Sequence, residues 1–261
     1  MEQAINPVDG VGVAFRVIGD GTPLMLVHGT ALSSAIWRAF GYVKALRHEY
    51  QLILPDMRGH GRSDGPYEPA SYAMDLVVGD VLAILDRLGH ERAHYLGYSF
   101  GGRVGLSVAA AAPDRLRTLT VGGGSSRPQA GSFDRLFFPG CVDVLDRDGM
   151  TAFLDTWNAH RSTPLDPATR AAFDANDPRA LVAYMRRAEQ EPGVPDSVLA
   201  SITLPTLLFV GSEDRMRLGD TRRMAALIPG AELAVLDGDH ATTVMASGDV
   251  LSVVGPFLEA H

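Results

Sequence analysis

A serine between two glycines occupies a place in this sequence where a nucleophile could be held. Residues 97–101 read Gly-Tyr-Ser-Phe-Gly and lie between a strand-like run at 93–96 and an Ala-rich helical run at 103–112. A chain that passes from a buried strand into a helix within two residues strains the corner residue, which small neighbours permit. The helix N-terminus beneath that corner would stabilise developing negative charge. We therefore predict that Ser99 is a catalytic nucleophile.

A serine hydroxyl becomes a good nucleophile when an imidazole removes its proton and a carboxylate orients that imidazole. The sequence offers both groups downstream, each directly after a predicted strand. Asp214 follows the strand at 206–210, and His240 follows the strand at 232–236. Because the carboxyl ends of parallel strands meet at one edge of a sheet, these residues and Ser99 are predicted to form a catalytic triad.

Neighbouring residues offer alternatives to two members of this triad. Glu213 is adjacent to Asp214 and could supply the carboxylate. Asp237 and Asp239 flank the predicted base and are typical of turns. His28 could act as a second base, but we interpret it as an oriented structural histidine.

Two other patterns imitate catalytic motifs. Ser63 also stands in a Gly-x-Ser-x-Gly sequence, but Pro66 and Pro69 follow at once, so no helix can continue from it and we predict a loop. Residues His90 and His94 match the zinc-protease pattern His-Glu-x-x-His, which requires one helical face. Here the second histidine lies in the strand that leads to the serine turn, which would separate the rings by roughly 13 Å. We therefore predict no metal site.

The elements that must position these residues alternate along the chain. Short, nearly continuous apolar runs alternate with helical patterns, as in a parallel sheet covered on both faces, so the fold class is α/β with a mostly parallel, doubly wound sheet. The predicted strands are 11–17, 24–27, 51–54, 93–96, 116–121, 206–210 and 232–236. The predicted helices between and after them are 34–46, 72–88, 103–112, 220–227 and 241–258.

The alternation of strands and helices stops between residues 127 and 201. This stretch shows helical patches at 148–158, 167–174 and 178–189, separated by proline-containing turns. The predicted core therefore comprises residues 1–126 and 202–261, with 127–201 inserted as a helical cap. An insertion at this point would lie over the carboxyl edge of the sheet, where open α/β sheets bind ligands.

Length and composition limit the classes of function. The 261 residues fit one domain with a large core. A net charge of −8 and the absence of a basic cluster argue against a nucleic-acid partner. Cys141 is the single cysteine, so an intrachain disulfide is excluded. No run approaches the roughly 18 apolar residues of a membrane span, so we expect a cytoplasmic protein without a membrane partner. A homodimer is compatible with the sequence.

The serine turn and the order Ser99, Asp214, His240 resemble the α/β-hydrolase fold family. Two further segments resemble that family: His-Gly-Thr at 28–30, and 56–63, which matches its Asp-x-Arg-Gly-x-Gly-x-Ser loop. The resemblance covers nearly the whole chain. It implies an oxyanion hole formed by the backbone N–H groups of Thr30 and Phe100. It implies no cofactor.

These observations predict a serine hydrolase that cleaves a small, apolar carboxylic ester or lactone through an acyl-enzyme. Two alternatives stay open. Relatives with this fold act as hydroxynitrile lyases, cofactor-free oxygenases or perhydrolases, and sequence separates these poorly from hydrolases. The chain could also be a ligand-binding sensor on a hydrolase scaffold.

Aromatic residues of the insertion and of the segment after residue 30 are candidates for the substrate pocket. The predicted pocket residues are Trp37, Phe137, Phe138 and Trp157. The arginines of the insertion are offset by a larger number of acids. An anionic substrate is therefore compatible with the sequence but is not indicated by it.

Overall fold

The computed structural model describes residues 1–161 and 164–261, and within them the chain forms an eight-stranded sheet. Its strand order is β1-β2-β4-β3-β5-β6-β7-β8. The strands are β1 (Glu2–Ile5), β2 (Gly12–Ile18), β3 (Thr22–Val27), β4 (Tyr50–Pro55), β5 (Ala93–Tyr98), β6 (Leu116–Gly122), β7 (Thr206–Gly211) and β8 (Glu232–Leu236).

Six of these strands, β3 to β8, run parallel, whereas β1 and β2 pair antiparallel at one side of the sheet. The predicted mostly parallel α/β fold is confirmed. All seven predicted strands are present, and β1 is an addition. It was missed because its four residues carry one buried side chain, Ala4, which gives too short a pattern to recognise.

Twelve helices accompany the sheet in the described residues. They are α1 (Ala35–Ala39), α2 (Tyr42–Leu46), α3 (Met74–Leu88), α4 (Phe100–Ala111), α5 (Ser132–Leu136), α6 (Cys141–Ala159), α7 (Pro167–Asp174), α8 (Pro178–Ala188), α9 (Asp196–Leu199), α10 (Leu218–Leu227), α11 (Thr242–Met245) and α12 (Ser247–Glu259). No helix in this part of the chain is long and apolar enough to cross a membrane.

Two predicted helices are each divided in the structure. The predicted helix at 34–46 becomes α1 and α2, because Gly41 adopts a φ of 96° that ends the first helix. The predicted helix at 241–258 becomes α11 and α12, with non-helical backbone at Ala246 between them. The apolar residues keep a helical spacing on both sides of such a break, so the apolar pattern alone does not reveal where the helix is interrupted.

Helices α5 to α9 lie between β6 and β7, in the stretch where the sequence predicts the inserted cap. Three of them, α6, α7 and α8, overlap the predicted helical patches, and α6 begins earlier because it continues through a kink at Gly149. Prolines stand at the first helical position of α7 and α8, preceded by Asp166 and Asp177, whose carboxylates accept from backbone N–H groups.

Side chains of the central strands alternate between two apolar layers. Along β3, Met25 and Val27 pack into the layer that also contains α3, α4 and the inserted helices. Leu24 and Leu26 point to the opposite layer, with α1, α2 and α12. Burial on both faces explains the nearly continuous apolar strands, and it holds the carboxyl edge of the sheet in place.

A buried ionic network ties the loop after β4 to the rest of the sheet. The guanidinium of Arg58 is fully buried and donates to both carboxylate oxygens of Asp80 in α3, at 2.6 Å each. It also pairs with Asp9 at 2.7 Å. Asn6, directly after β1, donates to Asp80 at 2.8 Å. The network therefore connects β1, α3 and the 56–63 loop, and removing one partner would leave an uncompensated buried charge.

The edge strand β8 is the least covered strand of the parallel part of the sheet. It pairs with β7 alone. Leu233 is 41% exposed and Val235 is 43% exposed. The loop that follows β8 carries His240.

The histidines of the zinc-protease pattern do not share a helical face. His90 lies before β5 and its Nε2 is 2.6 Å from Gln51 Oε1. His94 lies within β5, is buried, and its Nδ1 is 2.9 Å from Thr118 Oγ1. Burial lowers the pKa of His94 to about 4, because the apolar surroundings disfavour the charged imidazolium.

This burial predicts a specific loss of stability in acid. Between about pH 4 and pH 6.5, His94 is neutral in the folded protein but protonated in the unfolded chain, so unfolding takes up a proton. The stability that comes from this difference is therefore fully present above about pH 6.5 and is lost as the pH falls toward 4. In His94→Gln the free energy of unfolding should depend less steeply on pH between about pH 5 and 6, by up to about 1.4 kcal/mol per pH unit. Urea unfolding at several pH values measures this slope.

An identical slope in His94→Gln and the parent protein would contradict the assignment of a depressed pKa to His94.

Candidate active site

Ser99 stands at the sharp turn between β5 and α4. Its φ of 56° and ψ of −110° place a non-glycine residue in a strained region of backbone space. Its N–H donates to the carbonyl of Gly122 on the neighbouring strand β6, at 2.7 Å. Ser99 is partly exposed whereas Tyr98 and Phe100 are buried, so the turn presents the hydroxyl at the carboxyl edge of the sheet.

The glycines around Ser99 permit α4 to pack directly on the strands. A Cβ at Gly97 would lie 2.2 Å from the carbonyl oxygen of Gly101. A Cβ at Gly101 would lie 2.1 Å from the carbonyl oxygen of Val27 in β3. Both partners are backbone atoms that cannot move aside, so glycine is required at these two positions.

The structure brings the three predicted triad residues into one hydrogen-bonded chain. His240 Nε2 lies 2.9 Å from Ser99 Oγ, and His240 Nδ1 lies 2.6 Å from Asp214 Oδ2. An ionised carboxylate can only accept, so the Nδ1–H donates to Asp214 and Nε2 is left to accept from the serine hydroxyl. This tautomer is the one a general base requires.

Backbone and side-chain contacts hold the acid and the base. Asp214 is 3% exposed, and its second oxygen accepts from the backbone N–H of Arg217 at 3.1 Å. The hydroxyl of Tyr98, the residue before the serine, donates to the carbonyl of His240 at 2.6 Å. Strand β5, which leads into Ser99, therefore also restrains the loop that carries His240.

The alternative acids and base have other contacts. Glu213 is exposed, and its backbone N–H donates to Gly238. Asp239 accepts from the backbone N–H groups of residues 241 and 242, so it shapes the turn. His28 is fully buried, and its Nε2 accepts from the Met57 N–H at 3.0 Å while its Nδ1–H donates to the Gly29 carbonyl at 2.8 Å.

Ser63, the serine of the second Gly-x-Ser-x-Gly sequence, has its hydroxyl hydrogen-bonded to backbone groups. Its hydroxyl donates to the carbonyl of Asp56 and accepts from the N–H of Ala14 at 2.8 Å. Residues 64–68, which follow it directly, are not helical. The donated bond closes the 56–63 loop on itself, and the accepted bond fastens the loop to β2.

Thr30 and Phe100 line the same small space as Ser99. Phe100 begins α4, so its N–H has no carbonyl within that helix to which it can donate. Among the described residues, no hydrogen bond from the Thr30 N–H is found. The hydroxyls of Thr30 and of Tyr184 in α8 lie 2.7 Å apart. Helix α8 thereby contacts the segment that presents the Thr30 N–H.

A mostly apolar cavity of about 370 Å³ opens beside the triad. Phe137 and Trp157 line it, as expected from the sequence, and their rings meet edge to face at 4.9 Å between centroids. Phe173, Phe40 and Val244 also line this cavity. The sequence analysis did not predict these three residues, because a single apolar residue in a helix or loop does not show whether its side chain faces a cavity or the core.

Two predicted pocket residues lie elsewhere. Trp37 has no exposed surface and packs against Tyr42 at 5.0 Å, because α1 covers the opposite face of the sheet. Phe138 is 2% exposed and packs against Phe153 at 5.3 Å inside the inserted helices. Neither lines the cavity, so the structure does not bring these two predicted pocket residues to it.

A family model described as the alpha/beta hydrolase fold matches residues 22–243. The "Putative carbamate hydrolase RutD" of Azorhizobium caulinodans is 30% identical over 243 residues, 87% of each chain. The chain belongs to the α/β hydrolase family.

Two further comparisons extend this result. The 2-hydroxymuconate semialdehyde hydrolase of Pseudomonas sp. strain CF600 is 29% identical over 95% of this chain and 91% of its own. The crystal structure of an esterase, RhEst1 from Rhodococcus sp. ECU1013, superposes with a TM-score of 0.82 at 28% identity, covering 99% of this chain and 98% of that one. The family relatives named here are hydrolases.

The requirement for glycine beneath the serine turn predicts a large difference between two helical glycines. Gly101→Ala places a methyl group on a backbone oxygen and should lower the free energy of unfolding by about 1–3 kcal/mol. Gly248 lies in α12 with no atom near its position for a Cβ, so Gly248→Ala should be neutral or slightly stabilising. Chemical denaturation compares the two. Equal stability of both variants would contradict the close approach at Gly101.

The cavity lining predicts which aromatic residue affects substrate size. Trp157→Ala enlarges the cavity and should change kcat/KM for long or aromatic esters more than for a short acetate ester. Phe138→Ala is the matched control, since it removes a buried ring outside the cavity and should leave chain-length preference unchanged. Kinetics over a series of ester chain lengths measure the preference. A shift in Phe138→Ala and none in Trp157→Ala would reverse this assignment.

Proposed function

We propose that this α/β-hydrolase family protein is a serine hydrolase that cleaves a small carboxylic ester or lactone through an acyl-enzyme. The observation that carries the proposal is the continuous chain from Ser99 Oγ through His240 to Asp214, with hydrogen bonds of 2.9 and 2.6 Å. The hydrolase names of the family relatives support the same reaction class.

In the proposed mechanism, His240 removes the proton of Ser99 as the hydroxyl attacks the substrate carbonyl. Asp214 stabilises the imidazolium that forms. The resulting oxyanion accepts from the N–H groups of Thr30 and Phe100, and one such donor is typically worth about 3 kcal/mol in the transition state. His240 then protonates the leaving alcohol. Water repeats the sequence to release the acid.

The apolar cavity of about 370 Å³ supports the proposal that the substrate carries an apolar group on one side of the reacting bond. Its aromatic lining, from Phe137, Trp157 and Phe173, buries hydrophobic surface and offers ring edges and faces for stacking. The proposed reaction uses no cofactor, because the serine, the imidazole and the N–H groups supply every proton transfer and charge contact that it needs.

The two Gly-x-Ser-x-Gly serines provide a matched test of the nucleophile. Ser99→Ala should lower kcat/KM for p-nitrophenyl esters by at least about 10⁴-fold, whereas Ser63→Ala should retain most of the activity. Acid quenching during turnover of a slow ester should show acyl mass on the peptide that contains Ser99.

Two outcomes would overturn the proposal. Substantial activity in Ser99→Ala, with contaminating esterases excluded, would remove the nucleophile. Turnover of a true substrate without an acyl adduct, under conditions where deacylation is slow, would favour a lyase or oxygenase that uses His240 as a base alone. Ligand-induced closure with negligible turnover would favour a sensor.

A further inference from the structure

A second, smaller cavity of about 40 Å³ also adjoins Ser99. A space of this size holds a few water molecules or a group as small as a carboxylate. Ser99 and Thr30 line both cavities, so a bound substrate can reach from one into the other. The smaller cavity has a different chemistry, because Arg103, Arg217 and Ser125 lie in its wall.

Arg103 lies on α4, one helical turn after Ser99, in a helix that is otherwise apolar or small. The residue is 5% exposed. One of its terminal nitrogens donates to the Ser125 carbonyl at 3.4 Å, and its buried Nε has no hydrogen-bond partner among the described residues. Burying a guanidinium nitrogen without a hydrogen-bond acceptor lowers the stability of the folded protein, so such a group points to a function.

Arg217 approaches the same cavity from the loop that carries the catalytic acid. Its buried Nε also lacks a partner in residues 1–161 and 164–261. Burial lowers the pKa of both Arg103 and Arg217, but arginine stays protonated at neutral pH. Two cationic side chains thus border one small space next to the nucleophile.

The acids near this cavity already have cationic partners. Glu191, which also lies in the cavity wall, forms an ion pair with Arg187 at 2.9 Å, but its buried Oε1 makes no hydrogen bond within the described residues. Asp220 pairs with Arg223 at 2.8 Å and with Arg127 at 3.3 Å, and it also accepts from Ser125. The positive charge of the two cavity arginines is therefore not neutralised by a direct ion pair in the described part of the chain.

The position of His240 indicates which part of a substrate enters each cavity. The leaving group must receive its proton from His240, so it departs on the side where that imidazole lies. His240 lines the larger cavity and is not among the residues that line the smaller one. With the oxyanion facing the Thr30 and Phe100 N–H groups, the acyl chain is directed toward the arginines.

We infer that the smaller cavity is a carboxylate-binding subsite for the acyl part of the substrate, so that the preferred substrates are monoesters of short dicarboxylic acids or the corresponding lactone acids. Arg103 and Arg217 bind the terminal carboxylate, whose planar pair of oxygens matches the guanidinium fork. The apolar leaving group occupies the larger cavity. This inference rests on the proposed hydrolase function and specifies its substrate class.

The test compares two esters of equal size that differ in one charge: monobenzyl glutarate and the benzyl ester of glutaramic acid. The parent protein should hydrolyse the charged ester with a kcat/KM at least about tenfold higher, as expected for a charged hydrogen bond of ordinary strength. In Arg103→Gln and in Arg217→Gln this ratio should fall to near unity. Chromatographic detection of benzyl alcohol measures both rates.

Arg127→Gln is the matched control, because it removes an arginine that pairs with Asp220 but does not line the cavity. Its ratio should equal that of the parent protein. Arg217→Lys should recover part of the preference by restoring charge without the fork. Melting temperatures of all variants identify any that fail to fold.

Binding to Ser99→Ala separates this inference from the proposed function. Calorimetry with monobenzyl glutarate should show binding that weakens at least about tenfold when Arg103→Gln is added. Arginine-dependent binding without hydrolysis by the parent protein would retain the subsite and overturn the hydrolase proposal. Hydrolysis of both esters at equal rates, or a ratio unaffected by either arginine variant, would overturn the subsite.

Discussion

The contact between α4 and the strands beneath it is the constraint on which the site depends. Because Gly97 and Gly101 leave no Cβ between helix and sheet, the chain turns within one residue and forces Ser99 into its strained backbone conformation. The same turn leaves the Phe100 N–H at the start of the helix without a helical acceptor and places Arg103 one turn further on. One packing requirement therefore positions the Ser99 hydroxyl, the free N–H at the start of α4 and the Arg103 side chain near one another.

The parts of the fold that follow from local patterns could be predicted from the sequence. Buried parallel strands produce continuous apolar runs, and their carboxyl ends converge, so Ser99, Asp214 and His240 could be expected at one edge. The errors at Trp37 and Phe138 have another origin. Any large apolar residue fits either a cavity wall or a core, and long-range packing decides which. Likewise, Arg103 is visible as a lone cation in an apolar helix, but its missing acceptor is not.

The inserted helices contribute chemistry to both sides of the nucleophile. Trp157 and Phe137 supply aromatic surface to the larger cavity, and Tyr184 reaches the Thr30 hydroxyl at 2.7 Å. The segment that contains Thr30 thus contacts the same inserted helices that line the two cavities beside Ser99. A change at Tyr184 should therefore affect the segment around Thr30 as well as the wall of the smaller cavity, whereas a change at Trp157 should affect the larger cavity.

The exposure of the edge strand β8 bears on how long the site keeps its geometry. Strand β8 pairs with β7 alone, and Leu233 and Val235 are more than two-fifths exposed, so this edge has fewer buried contacts than the centre of the sheet. Regions with few buried contacts open at a lower free energy than the whole molecule. Opening at this edge would move the loop that carries His240, while Ser99 lies at the turn between β5 and α4. Fraying of this one strand is therefore expected to separate His240 from Ser99 before the whole sheet melts.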